Sequence, residues 1–150
     1  GALPRLRNLQ LTDAAIGDAG LTALAPALRR QPALENLSLL YNPLGDKGLA
    51  ALVAPKTLLP PCRPASRALA KLKKVFLGRT SITEVGCATL TYALATGALP
   101  ALEELNLLGI PASAVAIRAV VLYVMALAQR SRCGNAMTPP ATIFKMGYYD

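Results

Sequence analysis

The sequence predicts a curved α/β solenoid, with parallel strands lining a concave face and helices forming a convex one. Two observations carry this expectation. A single apolar register recurs four times, and in each copy a period-two stretch gives way to helical spacing. The first copy spaces Leu6, Leu9, Leu11, Ile16, Gly20, Leu24 and Leu28 as LxxLxLxxxxIxxxGxxxLxxxL. The second sets Leu34, Leu37, Leu39, Leu44, Gly48 and Leu52 at the same offsets, 28 residues later. The third uses Leu72, Val75, Leu77, Ile82, Gly86, Leu90 and Leu94. The fourth is worn: after Leu102, Leu105 and Leu107 it has Ala112 and Ala116 in place of the large apolar residue and the glycine.

Each copy opens with a strand, expected over Asn8–Thr12, Asn36–Leu40, Lys74–Gly78 and Glu104–Leu108. Alternation turns Leu9 and Leu11 inward and Asn8, Gln10 and Thr12 outward. A helix follows, its apolar side drawn by Leu21, Leu24 and Leu28, by Leu49, Leu52 and Val53, and by Val85, Leu90 and Leu94. Leu9, Leu11, Leu24, Leu37, Leu39, Leu52, Leu77, Leu90, Leu105 and Leu107 are the expected core. The last helix, around Ser113–Arg130, is apolar on nearly every side, which predicts cover from the tail or from a partner. Its uninterrupted apolar run, Ala119–Ala128, is too short for a membrane span of about 20 residues.

The spacing breaks once. Leu34 to Leu72 is 38 residues, and the surplus, around 54–68, holds Pro55, Pro60, Pro61 and Pro64. Proline rules out a regular helix there, so a surface loop is expected. The solenoid should therefore cover residues 1–132, leaving 133–150 as an extended tail. In that tail Ile143, Phe144, Met146, Tyr148 and Tyr149 cluster as candidate interface anchors. The chain opens Gly-Ala-Leu and enters a repeat at once, as expected of a piece of a longer protein or one with upstream sequence removed.

The pattern LxxLxLxxNxLxxxGxxxLxxxL resembles the ribonuclease-inhibitor-like class of leucine-rich repeats, over about residues 3–130. The fullest match is Leu34–Val53, which holds Asn42 and Gly48. The resemblance implies that the turn asparagine bonds backbone between neighbouring coils. Only Asn42 keeps it; Ala14, Thr80 and Ile110 stand in the other copies, so those turns should be tied less tightly. It also implies an uncapped first coil with apolar surface on its open side.

Composition bounds the function. The chain is 53% hydrophobic and 16% charged, against about 25% charged for an average soluble domain, so part of its surface is expected to be covered. Net charge is +8. Between Asp46 and Glu84 there is no acid, but there are Lys47, Lys56, Arg63, Arg67, Lys71, Lys73, Lys74 and Arg79, a basic block that favours an acidic partner. With no His, no phosphate-binding glycine motif and three widely spaced cysteines, no catalytic or metal site and no cofactor are expected. Asp13, Asp18 and Asp46 read as turn and helix-start residues, and Cys87 as a packed small hydrophobe. The odd cysteine count points to a reducing, intracellular compartment, the cytoplasm or an organelle interior.

Binding is expected on the concave face. Its outward columns run Asn8, Asn36, Lys74, Glu104; Gln10, Ser38, Phe76, Asn106; and Thr12, Leu40, Gly78, Leu108. Leu40, Phe76 and Leu108 are expected to be exposed, with Tyr41 beside them and the amides Asn8, Asn36 and Asn106 around them. This gives a non-enzymatic protein–protein interaction module, a scaffold or accessory subunit of a larger complex. The alternative is a basic protein that binds nucleic acid or the membrane periphery. Regulation of a small GTPase is the third reading.

Overall fold

Alternating apolar side chains at the start of each copy give a short strand, and glycine-spaced leucines after it give a helix. The chain runs β1 (Asn8–Gln10), α1 (Asp18–Arg29), β2 (Asn36–Ser38), α2 (Asp46–Val53), β3 (Lys74–Phe76), α3 (Glu84–Ala95), β4 (Glu104–Asn106) and α4 (Ala114–Arg132). This computed structural model describes residues 5–31, 33–53, 69–96 and 98–132. The insertion at 54–68 and the tail at 133–150 lie outside the described residues. With them go Cys62, Cys133, the cations Lys56, Arg63 and Arg67, and the tail cluster Ile143, Phe144, Met146, Tyr148 and Tyr149.

The four strands form one parallel sheet in sequence order. Register follows the repeat: Leu9 pairs with Leu37, Leu37 with Val75, and Val75 with Leu105. Each helix packs against the next. The strands are two residues shorter than expected, because the chain starts to turn after the third residue. Hydrogen bonding nonetheless continues past the strand ends. Leu11 N donates to Ser38 O, Leu39 N to Phe76 O and Leu77 N to Asn106 O; one step on, Asp13 N, Tyr41 N and Arg79 N donate to Leu40 O, Gly78 O and Leu108 O.

The core is continuous through the coils, and most of its fully buried residues lie in the second and third, with Leu21, Val120 and Val124 extending it to either side. Leu37, Leu39, Leu44, Leu49, Leu72, Leu77 and Ile82 are fully enclosed. Leu9, Leu11 and Leu24 are only half-buried, because no coil precedes the first among the described residues to cover them. Val85, expected on the apolar side of α3, is instead exposed. It follows Glu84 in the first turn, and Gly86 and Cys87 face inward in its place. Buried Cys87 does pack as a small hydrophobe, and its thiol is pushed up from the ordinary value by burial first, then by Asp46 and Glu84.

Side chains lock one coil to the next. Buried Asn42 donates from Nδ2 to Leu11 O (2.7 Å), Leu39 O (3.0 Å) and Leu40 O (3.1 Å). Its Oδ1 accepts from Ala14 N and Ile16 N, both at 3.0 Å. One side chain thus ties the first turn to the second. Thr80, in the same place one coil on, reaches only its own Leu77 O, at 2.7 Å. Asp18 does more than start its own helix: its Oδ1 accepts from Gly45 N and Gly48 N, both 2.8 Å, at the start of α2. Asp46 repeats this at α3, accepting from Thr83 N (2.8 Å) and Thr83 Oγ1 (2.5 Å). The helix glycine makes room for that carboxylate. A Cβ at Gly48 would stand 2.8 Å from Asp18 Oδ1, and one at Gly86 would collide with Asp46 Oδ1. At the other end of α2, Arg29 donates to Leu52 O (3.0 Å) and Ala51 O. Partial burial pulls its guanidinium below the ordinary value.

Leu39→Ala should cost about 2–5 kcal/mol in urea unfolding, whereas half-buried Leu9→Ala should cost clearly less. Equal losses would place the core wrongly. Asn42→Ala should cost about 3 kcal/mol, since it leaves the Ala14 and Ile16 amides without their acceptor. In alkylation mapped by mass spectrometry at pH 8, Cys87 should react only as the fold opens, because burial holds it as the neutral thiol.

Candidate protein-interaction surface

The outward side chains of β1–β4 form three columns across the sheet. The first is closed by internal pairs. Asn36 Nδ2 donates to Asn8 Oδ1, and Lys74 Nζ meets Glu104 Oε2 at 2.8 Å. The hydrogen bond to Glu104, then its charge, raises the pKa of Lys74. In the second column Ser38 is buried and shares a hydrogen bond of 3.0 Å with Thr12, while Asn106 Oδ1 accepts from Leu108 N at 2.9 Å. Asn8, Gln10, Asn36, Ser38, Lys74 and Phe76 border an open depression of 330 Å³.

The third column carries the apolar surface. Gly78 lies between Leu40 and Leu108, and a Cβ there would stand 2.9 Å from Leu108 O and 3.0 Å from Leu40 Cδ2. The missing side chain lets the coils close over this point. Of the four large side chains expected in the open, Tyr41 (57%) and Leu108 (37%) are exposed. Leu40 and Phe76 are half-buried instead, because each sits inside the sheet with a coil on either side.

A ridge borders this patch that sequence reasoning missed. Asp13, Tyr41, Arg79 and Gly109 occupy the same place in the four coils, and all have positive φ (53°, 56°, 56° and 72°). The left-handed turn is costly for a residue with a Cβ, so three coils hold non-glycine residues there under strain. Glycine at 109 in the register of Tyr41 and Arg79 was the one available signal. Arg79 leans onto that glycine, where a Cβ would meet its Cδ at 2.9 Å. Lys71, Lys73 and Arg79 are exposed, and among the described residues the two ion pairs, Arg7–Glu35 and Lys74–Glu104, involve none of them.

A family model described as Leucine Rich repeat matches residues 3–25 and 32–53, the first two coils. These are leucine-rich repeats. The third and fourth coils share their register, strand pairing and core positions. No match was found among curated proteins. Among solved structures the chain is similar to "Leiomodin-1 Actin-Binding Site 2 (ABS2)", with a TM-score of 0.62 and 15% identity over 89% of this chain and 87% of that one. At that identity the likeness speaks to the leucine-rich-repeat solenoid alone. Among the described residues no cluster of three or more His, Cys, Asp or Glu side chains has the geometry to hold a metal, and no helix is long and apolar enough to cross a membrane.

Gly78→Ala should destabilise the chain by about 1–3 kcal/mol in urea unfolding, because the methyl meets a carbonyl oxygen rather than a movable side chain. A neutral result would mean that Leu40 and Leu108 do not close over that position.

Proposed function

We propose that the chain is a non-enzymatic protein–protein interaction module, a scaffold or accessory subunit that binds an acidic partner through its concave face. The observation that carries this is the patch of Leu40, Tyr41 and Leu108 around Gly78, with the cation Arg79 beside it and the exposed Lys71 and Lys73 at the opposite end of β3. Large apolar and aromatic groups supply buried area at an interface, and charges at its rim steer and select the partner. The leiomodin structure, whose title names an actin-binding site, is a precedent for protein binding on this fold. A reducing, intracellular setting fits the buried free thiol of Cys87. The runner-up, nucleic acid, has less support: stacking platforms need several exposed aromatic rings, and Phe76, the ring that follows Lys73 and Lys74, is half-buried.

The test is affinity capture with the whole chain, beside Tyr41→Ala, Leu108→Asp and Arg79→Glu. All three positions are exposed, so the variants should melt like the parent. Each should lose the captured protein, by about tenfold or more for the first two. Binding to nucleic acid that weakens steeply with salt, with protein capture unchanged by the variants, would favour the second reading.

A further inference from the structure

We infer that the edge of the first coil is a docking surface, and that its occupant is a leucine-rich coil of a different polypeptide, one that brings an aspartate to the start of α1. β1 is an edge strand of the sheet. In the second coil the amide of Asn36 and the carbonyls of Ser38 and Leu40 bond the coil before. Their counterparts Asn8 N, Gln10 O and Thr12 O have no such partner among the described residues. The side chains behind that edge are incompletely covered. Leu6, Leu9, Leu11, Ile16 and Leu24 are half-buried, whereas Leu34, Leu37, Leu39, Leu44 and Leu52, in the same places of the second coil, are at most 3% exposed. A strand edge backed by leucines is completed by another strand with leucines of its own, here in the parallel register of the other three pairs.

The turn before α1 specifies the acid. In the second coil Gly45 N and Gly48 N donate to Asp18 of the coil before, and in the third Thr83 N donates to Asp46. Both receiving helices leave out a side chain where the carboxylate lies, at the buried Gly48 and Gly86. The first coil repeats this receiving end, with Gly17 and Gly20 at the same offsets. No side chain caps α1, and neither glycine amide bonds another described residue. Gly20 is exposed, and a Cβ on it would meet only Ile16, at 3.3 Å. A shape that holds an aspartate in two coils thus stands accessible in a third. This chain has no acid to fill it. Of its eight acidic residues, seven lie within the four coils, where Asp18 and Asp46 are already engaged, and the eighth, Asp150, follows no leucine register. A second copy stacked end to end would present Ala114 in the place of Asp18 and Asp46. The occupant is therefore a different sequence. Ala14 cannot reach back as Asn42 does, so the strand ladder and the one carboxylate carry the polar part of the contact.

Duplicating residues 6–33 ahead of Leu6 in the whole chain tests the surface, because the copy carries its own Asp18 in register. The copy should stack and raise the urea midpoint by about 1 M. Asp18→Asn in the copy, or Gly20→Ala in the receiving coil, should remove about half of that gain. In the parent chain Gly20→Ala should leave the midpoint unchanged or slightly higher, since alanine favours a helix and only Ile16 has to give. A protein captured by the whole chain and identified by mass spectrometry should carry a leucine-rich register with Asp in the place of Asp18. Gly20→Ala should weaken its binding by about tenfold, while Tyr41→Ala, on the concave face, leaves it unchanged. A duplicated coil that adds no stability, or one indifferent to both substitutions, overturns the inference, as does a captured protein that ignores Gly20→Ala. So does docking that appears only when the chain is cut after Arg132, for then the segment 133–150 is the occupant.

Discussion

The second and third coils of this solenoid finish their backbone with side chains of the coil before. A helix starts with amides that have no partner inside it and ends with carbonyls in the same state. Here a neighbour satisfies them. Asp18 of α1 takes up amides at the start of α2, and Arg29 of α1 reaches carbonyls at its end. Acid at the positive end and base at the negative end also match the helix dipole, each for about 0.3–1 kcal/mol. Asn42 does the corresponding work between strand turns. Stacking is therefore a condition for each coil's local structure, as well as the means of burying its leucines.

The same constraint explains the motif. The helix glycine tolerates no Cβ because a carboxylate from the coil before occupies that space. Where the motif is worn, the acid and the glycine change together. Glu84 and Ala116 replace Asp and Gly, and at the start of α4 Ala116 N donates to the helix's own Ser113 Oγ at 3.3 Å.

Much of the fold was legible, because Leu, Gly and strand alternation are local signals with a fixed period. The four strands, their order and their register were all readable from the offsets of Leu9, Leu37, Val75 and Leu105. What depended on neighbours was not. Leu40 and Leu108 occupy the same column, yet Leu40 sits inside the sheet and is half-covered while Leu108 lies on the last strand. Val85 fits helical spacing but turns outward. Asp18 and Asp46 read as helix starters, and their reach into the following coil is a fact of three dimensions. The ridge of Asp13, Tyr41 and Arg79 was hidden because Asp13 alone is of a type that tolerates a left-handed backbone, and Tyr41 and Arg79 give no such sign.

The missing clamp between α3 and α4 has a kinetic meaning. A solenoid behaves as a row of units held by nearest-neighbour terms, and it frays at the junction where that term is smallest. The first junction has Asp18, Arg29 and Asn42, and the second has Asp46. Among the described residues, Glu84 makes no side-chain hydrogen bond into the coil that follows, and the side-chain tie across the third junction is the partly exposed Lys74–Glu104 ion pair. Opening should thus propagate inward from the last coil, with amide exchange in α4 fastest and the Asn42 turn among the last to yield.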